Sequence, residues 1–96
     1  MTTGIESTPA FKARAASIGL EAPIITALIE NGLTSFGRFA FSCNYSPGSG
    51  DEGPFTALVA KVLEREPTIG ELSLLRRLFF ESHALALGDM KTRLER

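Results

Sequence analysis

His83 and Cys43 are the only histidine and cysteine in the chain. An imidazole could move a proton near neutral pH, and a thiolate could attack an electrophile. Cys43, however, has no histidine near it in sequence, and no third residue stands out to orient such a pair. Cys43 therefore reads as a buried apolar thiol. A minor reading, a small enzyme pairing His83 with Asp89 or Glu81, requires the fold to build a pocket around them. One histidine, one cysteine and scattered carboxylates do not make a zinc set, so no metal and no cofactor are expected. Gly48, Gly50 and Gly53 form no phosphate cradle, because no Gly-Lys-Ser/Thr follows them and no strand precedes them. Arg76 and His83 could instead pair with an acidic partner, or Arg76 could lay its stem over the core with its head in water.

A second chemistry is phosphate binding. Lys12, Arg14, Arg38, Arg76 and Arg77 are the cations a fold could cluster into a nucleic-acid-binding surface. Net charge offers no help, since ten Lys and Arg oppose eleven Asp and Glu for a balance of -1. The run from Ile18 to Leu28 resembles a helix-hairpin-helix, which grips a phosphate with the backbone amides of a glycine-bearing turn. That motif wants a second glycine two residues after the first, and here Glu21 follows Gly19 at that distance. A carboxylate there would repel the phosphate, and helix capping accounts for Gly19 without DNA.

The chain positioning these groups has 96 residues, enough for one domain with a core and no staples. Its 44% apolar and 22% charged shares are those of an ordinary globular protein. A lone cysteine gives no sign of an oxidising compartment, and no apolar run approaches the ~20 residues that span a bilayer. These features point to an intracellular protein without membrane partners.

No segment alternates with period two, so the expected class is all-α: a single-domain bundle of four short helices packed on one long C-terminal helix. Residues 1–7 read as a flexible lead and 8–96 as the domain. The first helix starts at Thr8 with Pro9 in its first turn, carries Phe11, Ala15, Ala16 and Ile18, and stops at Gly19. The second starts near Glu21, buries Ile24, Ile25, Leu28 and Ile29, and stops at Gly32. Ile18-Gly19-Leu20 and Asn31-Gly32-Leu33 share the Schellman grammar, a left-handed glycine followed by a leucine that folds back. Thr34 is the expected cap of a third helix, Ser35 to about Cys43, whose Phe36, Phe39, Ala40 and Phe41 concentrate aromatic bulk, and Asn44 to Gly53 is the one real loop. Asp51 or Gly53 caps a fourth helix lined by Phe55, Leu58, Val59, Val62 and Leu63, with Asp51 and Glu52 at its positive end.

Thr68 and Glu71 form a capping box that opens the long helix. From Leu72 to Leu94 its apolar positions cover roughly two thirds of the circumference, leaving a thin polar strip that includes Arg77 and Glu81. Phe80, Leu87 and Leu94, spaced by sevens, lie on the side away from Leu74, Leu78 and Leu85. Four short helices can cover one side more easily than both. Phe80, Leu87, Leu94, Arg76 and His83 are therefore the candidate interface of a non-enzymatic module that binds a protein or a copy of itself. The last helix has no Gly, Asn or Pro terminator, which suggests a piece of something longer.

Two resemblances bear on this. The rhythm from Gly19-Leu20 through Phe41, then Gly53-Pro54 and the Leu58/Val62 helix, is similar to a sterile-alpha-motif domain, without that family's early tryptophan. Such domains associate with proteins or occasionally RNA. Gly32-Leu33-Thr34-Ser35-Phe36-Gly37, Asn44 to Asp51, and Leu75-Arg76-Arg77-Leu78-Phe79-Phe80-Glu81-Ser82-His83 resemble an uncharacterised helical domain of dinoflagellate mobile-element-like proteins. That resemblance implies the N-terminal module of a longer polyprotein and a role in assembly or in handling nucleic acid. It supplies no biochemical role for any residue.

Overall fold

A computed structural model describes residues 7–43, 45 and 50–94, with side chains described through Gly88 in the last helix. It is all-α, with no strand among the described residues. Five helices follow in order: α1 (Thr8–Ser17), α2 (Ala22–Glu30), α3 (Phe36–Ala40), α4 (Gly53–Leu63) and α5 (Ile69–Leu94). At 1.5 Å per residue the 26-residue α5 is about 39 Å long, and the shorter helices pack along it.

Local chemistry sets most of the boundaries. Ser7 Oγ accepts from the Ala10 amide to open α1, and Pro9 occupies the first turn. The α1 stop is a full Schellman motif: the Gly19 amide donates to Ala16 O at 3.1 Å and the Leu20 amide to Ala15 O at 3.1 Å, with Gly19 at φ 110°. The α2 stop repeats it, Gly32 to Ile29 O and Leu33 to Leu28 O, both at 3.0 Å. Leu20 and Leu33 fold back into the core, as the motif's hydrophobic contact requires.

Ser35, rather than Thr34, caps α3, its hydroxyl accepting from the Arg38 amide at 3.2 Å. The helix also ends earlier than its aromatic run suggested, at Ala40. The Thr68–Glu71 capping box closes in both directions at 2.9 and 3.1 Å. Asp51 accepts from the Gly53 amide at 2.9 Å at the start of α4.

Arg14 meets Glu81 and Gly19 lies against Leu74, so α1 runs antiparallel to α5. The centre of the core is aromatic. Phe39 of α3 is fully buried and stands edge-on to Phe79 of α5 at 5.3 Å and to Phe11 of α1 at 6.0 Å. Phe55 of α4 closes the group, 4.9 Å from Phe79. Edge-to-face pairs of this kind add about 0.5–1.5 kcal/mol each beyond the area they bury.

The buried stripe of α5 comprises Leu75, Leu78, Phe79, Ser82 and Ala86, roughly 100° of its circumference and narrower than its apolar composition suggested. Ser82 is accommodated there because its hydroxyl donates to Leu78 O at 2.7 Å. Of the expected lead 1–7, Ser7 is the cap of α1, and residues 1–6, Asn44, residues 46–49 and the side chains of Asp89 and Leu94 lie outside the described residues.

Candidate interaction surface

The fold treats the expected interface residues differently. Leu87 is 51% exposed. Phe80 is half-buried, its ring 6.3 Å from Tyr45 and 6.5 Å from Phe79, so it belongs in part to the core wall. Tyr45, buried and stacked 5.7 Å from Phe79, covers the flank that a bare helix would have left open. Leu85, expected on the covered side, is 46% exposed.

His83 sits one turn before Leu87 on the same side of α5. Its ring lies 6.1 Å from Phe79 beneath it and 6.1 Å from Phe41, the residue that follows α3. Phe41 is 60% exposed. Phe41, His83 and Leu87 are thus a run of apolar and weakly polar surface, and Phe41 is the member that helix spacing could not place there. It comes from a different element.

Arg76, partly exposed, holds its head against a carboxylate. Its guanidinium donates from Nε to Glu52 Oε2 at 2.7 Å and from Nη2 to Oε1 at 2.5 Å, and Tyr45 Oη donates to the same carboxylate at 3.3 Å. The bonded guanidinium holds the Glu52 carboxyl below the usual carboxylate range. Glu52 therefore serves Arg76 and leaves the end of α4 to Asp51.

The five cations expected to form a nucleic-acid surface are divided. Arg14 makes a two-pronged pair with Glu81 at 2.6 and 2.8 Å, and Arg77 shares the same carboxylate at 3.5 Å. Lys12 lines a shallow depression with Ile29 and Glu30 on the outside of α1 and α2. Arg38 lies elsewhere, in a groove between the end of α2, α3 and α4, where it is joined by Lys61. Lys61 had no sequence signal beyond its place on the outer face of α4. Its importance depends on which helix α4 packs beside, which spacing within α4 does not encode.

Two further candidates have definite surroundings. Cys43 is half-buried, and burial pushes its thiol up, which disfavours the thiolate. The Glu81 carboxylate is held by Arg14 and Arg77, and it leaves α5 on a different side from His83. Among the described residues no three His, Cys, Asp or Glu side chains gather as a metal site, and no helix is long and apolar enough to cross a membrane.

No family model matches this chain, and no curated protein or solved structure matches it either.

Proposed function

We propose that the chain is a non-enzymatic helical interaction module that associates with a second copy through the Phe41–His83–Leu87 surface. The observation that carries this reading is the exposed Phe41 ring beside His83, with exposed Leu87 one turn further along α5. Scattered exposed leucines need no explanation; a contiguous patch built from two elements does.

The surroundings favour a like partner. A two-fold interface brings each residue near its own copy, so an unpaired charge in it would be self-repelling. Here the nearest upstream charge on that side of α5, Arg76, is already neutralised by Glu52, and Arg38 and Lys61 belong to the groove that Phe41 borders, not to α5. The nucleic-acid reading has less support, because Arg14, Arg76 and Arg77 all have carboxylate partners.

The test is solution mass by size exclusion with light scattering over a range of protein and salt concentrations. A dimer that persists in high salt and is lost in both Phe41→Glu and Leu87→Glu, with helix content unchanged, supports the reading. A wild-type monomer at every concentration overturns it. Phe80→Glu is the poorer probe, since Phe80 also packs on Tyr45 and its loss would disturb the fold.

A further inference from the structure

We infer that the groove between the end of α2, α3 and α4 binds an acidic peptide segment carrying an apolar side chain. The groove has a volume of about 460 Å³, in the range of sites that hold small ligands or a few side chains. The exposed Phe41 and half-buried Leu58 give it an apolar wall above the buried Leu33 and Val62. Arg38 and Lys61 are its only charged lining residues among those described. Both are exposed, and neither has a carboxylate partner among the described residues.

Among the described cations only Lys12, on α1, is unpaired in the same way. Arg14, Arg65 and Arg76 each meet a carboxylate at 2.8 Å or less. The neutral donors in the groove are also occupied. Asn31 Nδ2 donates to Ala27 O at 2.8 Å, and the Ser42 hydroxyl donates to Phe39 O at 2.7 Å. The backbone amides at its edge close the α2 Schellman turn. The free donors are therefore the guanidinium of Arg38 and the ammonium of Lys61, which selects an anionic ligand over a neutral polar one.

The apolar wall decides between two anions. A nucleic-acid backbone would gain at most two phosphate contacts here and would leave the exposed Phe41 and half-buried Leu58 uncovered. A peptide with carboxylates flanking a leucine or phenylalanine satisfies both halves of the site: the side chain covers the wall and the carboxylates meet the cations. Phe41 borders both surfaces, so this occupant and a second copy compete for it, and the groove is tested where the chain is monomeric.

The experiment is a fluorescence-anisotropy titration of the full chain with a labelled peptide of alternating Asp, Leu, Glu and Phe. A Lys-for-acid version of the peptide and a single-stranded oligonucleotide serve as comparators. Saturable binding of the acidic peptide is expected, weakening with salt and falling at least about fivefold in Arg38→Glu/Lys61→Glu. At a protein concentration where the chain is monomeric, Leu87→Glu should leave that affinity unchanged, because Leu87 does not line the groove. Absence of binding, equal binding of the Lys peptide, or tighter binding of the oligonucleotide that is lost in the same double variant would each overturn the inference. Circular dichroism of the double variant confirms that the fold survives, since both substituted side chains are exposed.

Discussion

Arg76 of α5 and Glu52, the residue before α4, close a two-pronged ion pair at 2.5 and 2.7 Å, with the Tyr45 hydroxyl on the same carboxylate. The pair fastens the start of α4 to the flank of the long helix and holds Tyr45 over Phe79 and Phe80. It therefore closes one side of the core and leaves no unpaired arginine of α5 beside His83.

The same carboxylate predicts an acid limb to stability. Arg76 lowers Glu52, Arg14 lowers Glu81, and Arg65 with the Thr68 amide lowers Glu71 to about 2. Each group is more acidic folded than unfolded, so its contribution is complete above the unfolded carboxylate value near 4.3 and is lost as pH falls through the folded value. Urea midpoints should be flat from about pH 8 to 6 and decline from about pH 5 towards 2. Glu52→Gln should be less stable at neutral pH by under about 1 kcal/mol, because the pair is partly solvated, and should have a shallower decline. An acid limb identical to wild type would show that the pair has no linkage to folding.

Phe39 and Phe41 lie two residues apart and should behave oppositely. Phe39 is fully buried among Phe11, Phe55 and Phe79, and Phe39→Ala should cost about 3–5 kcal/mol, enough to unfold a marginal small domain. Phe41→Ala, at an exposed site, should change folding stability by less than about 0.5 kcal/mol. Denaturant titration of the two variants tests the contrast, and similar losses would mean that α3 is placed incorrectly.

That contrast marks where sequence reasoning stops. The Schellman turns at Gly19 and Gly32 and the Thr68–Glu71 box were legible because each is closed by neighbours in the chain, and their spacing is their geometry. The all-α class was legible for the same reason. Phe36, Phe39 and Phe41 looked equivalent as aromatic bulk; only the docking of α3 on α5 separates the buried pair from the exposed one. Arg76–Glu52 spans 24 residues and Arg14–Glu81 spans 67, so nothing local announced either pair. The Arg38–Lys61 groove exists only because α2, α3 and α4 converge.

The last prediction concerns a backbone position. Glu64 ends α4 at φ 58°, ψ 26°, the only non-glycine residue at positive φ among those described. A side chain in this left-handed region crowds the following carbonyl, at a cost of roughly 1 kcal/mol that glycine does not incur. Glu64 is exposed and forms neither an ion pair nor a side-chain hydrogen bond among the described residues, so its replacement removes no contact. Glu64→Gly should therefore stabilise the domain by about 0.5–1 kcal/mol despite the greater freedom glycine gives the unfolded chain. Glu64→Val, β-branched at the same dihedrals, should destabilise it. Both are read from urea midpoints at constant slope; a destabilised Glu64→Gly would mean that the α4–α5 corner is held by something other than a left-handed cap.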